Sequence, residues 1–331
     1  MNSSPENTGE MQISGRRLSS VVRSIGRHRV LSVLVILFFF PFILPYEALA
    51  VNILIYGLFA LGFNMVFGYL GMLSFGHAAF FGIGSYATGI AMVHFGVPWL
   101  PAILLGILGA GLIAMIMGAM AIRTTGIYFA MVTLALAQCV YYLIYQMEEW
   151  SGGEDGLTGV KAGDIDLGFA TFSLFDPTVK YYFMYVFVGG AIFFFSRILA
   201  SPFGAILEAI RENENRARAC GYNVSLTKWT AFVISGLFCG LAGALNAIHL
   251  SVVPIDSLHY HMSGQAVIMS LLGGMGTFFG PFVGAFAFLM LEDVITLLTT
   301  HWQLFVGVIF MIFVLFFPKG VWGSILHWVS R

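Results

Sequence analysis

The sequence predicts an all-α polytopic membrane protein with about ten transmembrane helices, or eight to ten if some glycine-rich segments are broken or re-entrant. The composition supports this fold class, since 59% of the 331 residues are hydrophobic and 9% are charged, whereas soluble domains carry about 25% charged residues. Apolar runs long enough to cross a bilayer recur along the chain. The basic residues are concentrated in a few polar connections, which is typical of a defined membrane orientation.

Residues 1–30 are polar and rich in arginine, and we interpret them as a basic cytoplasmic tail. Residues 31–46 are apolar and precede Ala48-Leu49-Ala50, which resembles a signal-peptidase site. The segment is therefore either a first membrane span or the core of a signal peptide. We favour the span, because the positive region before it is long and the charge pattern of the chain requires a crossing here.

Nine further apolar segments complete a predicted transmembrane domain over residues 31–320, which a cytoplasmic tail at residues 321–331 follows. The segment at residues 263–277 is too short for an ordinary span and rich in glycine, so it is a candidate for a re-entrant or broken helix. The nine segments lie at residues 49–70, 73–95, 98–122, 126–146, 180–199, 228–250, 263–277, 281–300 and 302–318.

The distribution of charge predicts the orientation. With the N-terminus inside, ten crossings place Arg123, residues 197–228 and residues 319–331 in the cytoplasm. Every basic residue except Lys161 and Lys180 is then cytoplasmic, whereas the opposite orientation would place nearly all the arginines outside. We therefore expect a multi-pass protein with both termini in the cytoplasm.

The long loop at residues 147–179 falls outside in this orientation. It contains glycines typical of turns, Gly152, Gly153 and Gly156. We expect either a docking or lid element or a solvated connector. The carboxylates of this acidic loop are Glu148, Glu149, Glu154, Asp155, Asp164, Asp166 and Asp176.

Glu292 and Asp293 interrupt an apolar run near the outer side. Either the span ends there and residues 294–301 lie along the outer interface, or the two carboxylates line an aqueous cavity. The sequence does not decide between these interpretations.

Two apolar regions are rich in glycine, residues 68–89 and residues 272–284. Repeated glycines allow either close packing of helices or a break in a helix. Paired broken segments in corresponding halves are the strongest sequence indication of a transporter's solute site. Each region contains a phenylalanine pair, Phe80-Phe81 and Phe278-Phe279, which suggests a distant internal repeat.

Few polar residues interrupt the apolar segments, and no carboxylate or lysine lies at the centre of the strongest ones. Carriers driven by protons or sodium usually keep such a residue there, so the pattern favours a neutral or zwitterionic solute and another energy source. Most of these polar residues should make interhelical hydrogen bonds, and we favour this interpretation for His77. The candidates for a solute pathway are Asn64, Ser74, His77, Tyr128, Thr133 and Gln138.

Residues 201–224 form a polar segment between two predicted spans, with charges of both signs. We predict one short helix, with Ser201 and Pro202 at its start and Gly221 at its end. The helix either lies on the lipid, covers another part of the chain or docks a soluble partner, and we favour the partner. Its predicted inner face contains Ile206, Ala209, Ile210, Asn213 and Ala217.

Other kinds of site find no support in the sequence. Cys139, Cys220 and Cys239 are isolated, without the spacing of a metal site or a disulfide framework, and we interpret them as packing residues. The sequence has no basic patch for nucleic acid and no phosphate-binding loop of the GxxxxGK type. We therefore expect no metal site, no cofactor bound by this chain and no nucleic-acid partner.

Three motifs resemble, in order and spacing, the larger type of permease subunit in branched-chain amino acid ABC importers. The first is the string at residues 68–89 with RTTGIYFAMVTL at residues 123–134 after it. The second is SGGEDGLTG at residues 151–159. The third is AIRENENRARACGYNV at residues 209–224, followed by Lys228 and, downstream, by LLGGMGTFFGPFVGA. The resemblance covers about residues 49–320, so it implies that the transmembrane domain is a permease domain.

The resemblance implies an ATP-driven importer of leucine, isoleucine and valine in a bacterial inner membrane. This chain would be a transport subunit and not an enzyme, because two ABC ATPase subunits would hydrolyse the ATP. The other implied partners are a second, homologous permease subunit, an extracytoplasmic solute-binding protein and the lipid bilayer. Permeases of this family also carry urea, short amides, aromatic acids and other amino acids, which are the alternatives for the solute.

The resemblance also identifies residues 201–224 as a coupling helix that docks in a groove of an ATPase. Glu208 and Ala209 match the usual loop of other ABC importers, whereas Ile210 and the late Gly221 depart from it. We expect three residues to seat the helix and three to set its register. These are Ile206, Ala209 and Ile210 for the seat, and Glu208, Arg211 and Glu212 for the register.

Two further functional classes stay open. A stand-alone secondary carrier would need no ATPase, and a passive channel would be compatible with the glycine-rich segments. Neither explains the charged segment between two spans, which is typical of oriented docking. An intramembrane enzyme is disfavoured, because the apolar segments contain no constellation of His, Asp and Glu.

Overall fold

A computed structural model describes residues 29–44, 46–160, 164–166, 171–173, 176–299, 301–316 and 320–323. It confirms an all-α polytopic fold, in which every predicted apolar segment forms a helix close to the expected bounds. Residues 1–28 and 324–331, to which we assigned most of the two cytoplasmic tails, lie outside the described residues.

The described N-terminal half consists of long apolar helices joined by short connections. Pro98 lies directly before the helix that begins at Trp99, and Gly126 lies directly before the helix that begins at Ile127. The second helix continues into a π-helical turn, Met65–Tyr69. The helices are α1 (Arg29–Ile43), α2 (Glu47–Asn64), α3 (His77–Val93), α4 (Trp99–Ala121), α5 (Ile127–Gln146) and the short α6 (Glu148–Ser151).

The described C-terminal half contains two short polar helices between long apolar ones. The first long helix begins where the side chain of Asp176 accepts a hydrogen bond from the amide of Thr178, a typical N-cap. The helices are α7 (Pro177–Ala200), α8 (Pro202–Glu212), α9 (Glu214–Ala219), α10 (Val224–Leu250), α11 (Tyr260–Gly273), α12 (Gly280–Leu298) and α13 (Trp302–Phe316).

Among the described residues, six helices are long and apolar enough to cross a membrane: α2, with its π-helical turn, α4, α5, α7, α10 and α12. Shorter apolar helices lie within α1, α3 and α13. The segment that we expected to be short is α11, with 14 residues. The ten helices that correspond to the predicted apolar segments therefore differ in length. Six are long enough to span a membrane, and the other four, α1, α3, α11 and α13, are shorter.

The core of the bundle is formed by α2, α3, α4 and α10. Small residues bring α3 and α10 close together, since a Cβ atom added to Gly84 would lie 2.2 Å from the carbonyl oxygen of Gly240. Gly106 of α4 approaches Thr88 of α3 in the same way. Such contacts are typical of membrane helices, which associate through close packing because apolar lipid provides no hydrophobic driving force between them.

The helix α1 packs along α7. The hydroxyl of Tyr185 donates to the carbonyl oxygen of Leu34 at 2.9 Å, and Tyr181 donates to that of Leu37. Val33 and Leu37 are buried in the same core as the other helices. These contacts join α1 to the bundle, and the two interpretations of residues 31–46, as a membrane span or as part of a signal peptide, stay open.

Glu292 and Asp293 lie within α12, which continues without a break to Leu298. The helix therefore does not end at these residues, and both interpretations, a span that ends there and two carboxylates that line an aqueous cavity, stay open. Tyr46, just before α2, forms a hydrogen bond with Asp293 that raises the pKa of the tyrosine to about 12. Asp293 thus lies level with the beginning of α2.

Candidate functional site

The first glycine-rich region is a break between α2 and α3. After the π-helical turn the chain has no helical structure from residue 70 to residue 76, and α3 begins at His77. Gly71 has a φ of +77°, a conformation that glycine adopts without strain. A Cβ atom at Gly68 would lie 2.5 Å from the amide nitrogen of Gly276. Gly71 therefore permits the break in the helix, and Gly68 permits the close approach of this segment to Gly276.

The second glycine-rich region is a break between α11 and α12. Gly274 and Gly276 have φ values of +112° and +70°, and Pro281 lies in the first turn of α12, where proline is favoured. Phe278-Phe279 precedes α12, whereas Phe80-Phe81 lies inside α3. The two phenylalanine pairs are therefore not at equivalent positions and do not support an internal repeat.

Asn64 joins the two breaks. Its Nδ2 donates to the carbonyl oxygen of Thr277 at 3.0 Å, and its Oδ1 accepts from the amide of Gly276 at 3.1 Å. The side chain is fully buried at the end of α2, where both halves of its amide find a partner, as buried amides require. Asn64 thus joins the end of α2, shortly before the first break, to the second break.

Side chains from other helices cap the beginning of α3, whose first amides have no partner within the helix. Thr133 of α5 accepts a hydrogen bond from the amide of Phe75 at 3.1 Å. Ser263 of α11 accepts from the amide of Ala78 at 2.8 Å. Ser74 accepts from the amide two residues further along. Ser263 was not among the sequence-predicted residues, because its partners lie far away in the sequence.

His77 is buried between helices. Its Nε2 lies 2.9 Å from the hydroxyl oxygen of Ser235, which in turn donates to the carbonyl oxygen of Gly62 at 2.6 Å. Since the serine proton is used for Gly62, the geometry places the imidazole proton on Nε2. Phe63 and Phe232 pack edge-on against the ring. This is the interhelical hydrogen bond that we favoured for His77.

The two remaining pathway candidates differ from the others. Tyr128 is 74% exposed near the start of α5. Gln138 is partly buried in the same helix, and its Nε2 atom is buried without a hydrogen-bond partner. An unpaired buried polar atom is costly, and two of the six candidates have one, Gln138 at Nε2 and His77 at Nδ1.

A cavity of about 670 Å³ opens at the end of the bundle that carries α8 and α9. Its apolar wall comes from the break before α3 and from the first turns of α5, and its polar rim comes from α8, α9 and α10. The six pathway candidates are not among its lining residues. The residues that line the cavity include Leu70, Leu73, Thr125, Phe129, Arg211 and Lys228.

The segment at residues 201–224 forms two helices, α8 and α9, and not the single helix that we predicted. Asn213 separates them with an extended backbone, and its side chain accepts a hydrogen bond from the amide of Arg216 as the N-cap of α9. Gly221 follows α9 with a φ of +88°, as expected for a residue that closes a helix. We refer to α8 and α9 together as the surface helices.

The inner face of α8 differs from the predicted one. Gly204, Leu207 and Ile210 are buried, whereas Ile206 is half-buried and Ala209 is exposed. Glu208 and Glu212 are also exposed. Four of the six residues predicted to seat α8 or set its register are therefore exposed, namely Glu208, Ala209, Arg211 and Glu212, while Ile210 seats α8 on its own bundle.

Charged residues attach the surface helices to the bundle. Glu214 accepts hydrogen bonds from Arg218 at 3.0 Å and from Lys228 of α10 at 2.6 Å, and Lys228 is 6% exposed. At the end of α8, Nη1 of Arg211 donates to the carbonyl oxygen of Gly68. Arg211 is therefore bound within the chain.

The beginning of the long loop at residues 147–179 is part of the folded structure. The strand β1 (Leu157–Thr158) pairs with β4 (Val252–Val253), and Gly89 of α3 packs against Leu157 and Val160. A second pair, β2 (Asp164–Asp166) and β3 (Thr171–Ser173), extends the loop. Both interpretations of the loop, as a docking or lid element and as a connector, stay open.

Comparison with known proteins identifies related sequences over most of the chain. Residues 46–315 match the sequence profile of the family described as branched-chain amino acid transport system / permease component. No solved structure matches the chain.

Three of the relatives illustrate the similarity. The high-affinity branched-chain amino acid transport system permease protein LivM of Salmonella typhimurium is 27% identical over 313 residues, which cover 88% of this chain and 74% of the relative. Its counterpart in Escherichia coli is 28% identical, over 81% of this chain and 68% of the relative. A probable LivM of Methanocaldococcus jannaschii is 23% identical, over 72% of this chain and 77% of the relative.

Proposed function

The chain belongs to the branched-chain amino acid transport permease family, and from this membership we propose that it imports leucine, isoleucine and valine. It is the membrane subunit of an ABC importer, and other chains of the importer hydrolyse the ATP. The observation that carries the proposal is the similarity to branched-chain amino acid permeases over 88% and 81% of the chain. Relatives named for autoinducer 2, ribose or xylose match about 30% of it.

The placement of charge supports an external energy source. Among the described residues, Lys228 is the only fully buried charged one, and it lies near the start of α10 beside Glu214. A carrier coupled to protons or sodium usually keeps an ionisable residue in the middle of its spans. A complex with two ABC ATPases provides the energy without such a residue.

The surface helices are the proposed ATPase dock. Ala209, Glu208 and Glu212 form an exposed face on α8 with one apolar and two acidic side chains. Charged groups in an interface make docking specific for one orientation of the partner. With this face in the cytoplasm, the orientation agrees with the positive-inside pattern, and both termini are cytoplasmic. The outer loop then faces a solute-binding protein, and a second permease subunit completes the membrane part.

The solute is tested by uptake in cells. We expect cells that lack this chain to lose high-affinity uptake of labelled leucine, isoleucine and valine, because the importer has no membrane path without its permease. A plasmid copy of the gene should restore uptake, and uptake of an unrelated solute such as proline serves as the control. Unchanged uptake of all three amino acids, with loss of urea or acetamide uptake, would assign the other solute class.

A further inference from the structure

The surface helices contact the two helix breaks through one side chain, that of Arg211. Its Nη1 donates to the carbonyl oxygen of Gly68, at the end of the π-helical turn, at 2.5 Å. The same atom lies 2.7 Å from the place where a Cβ atom of Gly276 would be. The aliphatic part of the side chain passes over Gly71, where an added Cβ atom would lie 3.1 Å from its Cγ. The guanidinium group therefore lies where the two breaks meet.

The glycines at this junction explain why the guanidinium fits. A side chain at Gly68 or Gly276 would collide with the other segment or with Arg211 itself. The last carbonyl groups of a helix have no partner within the helix, and an arginine donor forms a strong, directed hydrogen bond with such an acceptor. The junction thus consists of a charged donor, an orphan carbonyl and glycines that make room for both.

Asn64 extends this connection to the second break. Gly68 is four residues after Asn64, which binds the amide of Gly276 and the carbonyl oxygen of Thr277. A movement of α8 therefore acts on the end of α2 through Arg211 and on the segment before α12 through Asn64. Three other charged residues of the surface helices, Glu208, Glu212 and Glu214, cannot replace it, because an ionised carboxylate has no proton to donate to a carbonyl oxygen.

We propose that Arg211 is the positioning residue that transmits movement of the surface helices to the two helix breaks, and that it does not contact the ATPase. The proposal rests on the proposed function, because it requires an ATPase that moves α8. It differs from the expectation that Arg211 sets the docking register, and the two roles predict different consequences for the assembled complex.

The test uses the complete importer, purified and reconstituted in liposomes with its binding protein and ATP. We expect Arg211→Gln to keep the ATPase subunits bound and to keep ATP hydrolysis, but to lower leucine uptake by about tenfold, so that more ATP is hydrolysed for each leucine transported. Arg211→Lys keeps a charged donor and should restore part of the uptake. Arg197→Gln, at the same end of the bundle but outside the surface helices, is the matched control and should transport like the wild type.

The outcomes separate the proposal from its alternatives. Loss of the ATPase from the Arg211→Gln complex would overturn the proposal, because Arg211 would then contact the partner. Wild-type uptake in the same variant would also overturn it. If Arg211→Gln does not fold, Asn64→Leu provides the test, because it removes the link to the second break. We expect this variant to retain the ATPase and to show lowered uptake. Wild-type uptake in this variant would overturn the proposal. Failure of the wild-type complex to transport leucine would instead count against the proposed function.

Discussion

Replacement of Gly243 by valine should prevent the protein from accumulating in folded form. A Cβ atom at this position would lie 1.9 Å from the carbonyl oxygen of Phe81 and 3.0 Å from the amide nitrogen of Ser85. Both atoms belong to the backbone of α3, so α10 would have to move away as a whole. The hydroxyl of Ser85 also donates to the carbonyl oxygen of Gly243 at 2.8 Å, and this bond would be lost with the contact.

The expected destabilisation is about 3 kcal/mol or more, at the upper end of the range for overpacked positions, because no side chain can rotate out of the way. Thermal unfolding and size-exclusion chromatography in detergent would measure it. Gly190→Val is the matched control, since Gly190 lies in α7 with no heavy atom near its added Cβ atom. A Gly243→Val protein that unfolds at the wild-type temperature would show that α3 and α10 do not pack as described.

Replacement of Ala209 by tryptophan should separate the permease from its ATPase and abolish ATP-driven uptake. Ala209 is exposed on α8, beside the buried Ile210 that attaches the helix to the bundle. The indole therefore changes the outer surface without entering the core of this chain. Interfaces are packed as closely as protein interiors, so a large side chain in the docking face should lower recovery of the ATPase by about tenfold or more.

Copurification from membranes would measure this effect. Glu208→Arg, which reverses a charge on the same face, should act in the same direction and more weakly at high salt. Ala119→Trp provides the matched control, because Ala119 is exposed on the membrane-spanning α4. Normal recovery of the ATPase with both α8 variants would exclude this face of α8 as the dock.

The positions of the long helices could be predicted from the sequence because apolar length alone decides them. The segment predicted at residues 98–122, for example, is α4, Trp99–Ala121. A broken helix was one of the two interpretations that the glycines of residues 68–89 and 272–284 allowed, and close packing of helices was the other. Composition does not reveal which of the two uses a given glycine serves, close packing or a break.

The surface helices show why finer features were missed. Asn213 was assigned to an inner face by helical spacing, but it ends α8 and caps α9. Its preference for N-cap positions was a signal that the single-helix prediction did not use. The spacing of Ile206, Ala209 and Ile210 fits a helix, yet Leu207 is buried together with Ile210 while Ala209 is exposed, because the position of the bundle beneath α8 decides which face is covered.

Long-range hydrogen bonds could not be predicted at all. Asn64 and Gly276 are separated by 212 residues, Ala78 and Ser263 by 185, and Arg211 and Gly68 by 143. Each of these side chains has the ordinary chemistry of its type, and the fold alone determines its partner. The contact of Arg211 with Gly68 therefore emerged only from the structure, although the position of Arg211 in a charged segment was evident in the sequence.

The central claim, that this chain is the permease subunit of an ATP-driven importer, is tested most directly by affinity purification from native membranes with identification of the copurifying chains. We expect ABC ATPase subunits and a second permease, with ATP-dependent leucine transport after reconstitution. A chain that purifies without an ATPase and transports leucine down a proton or sodium gradient by itself would contradict it.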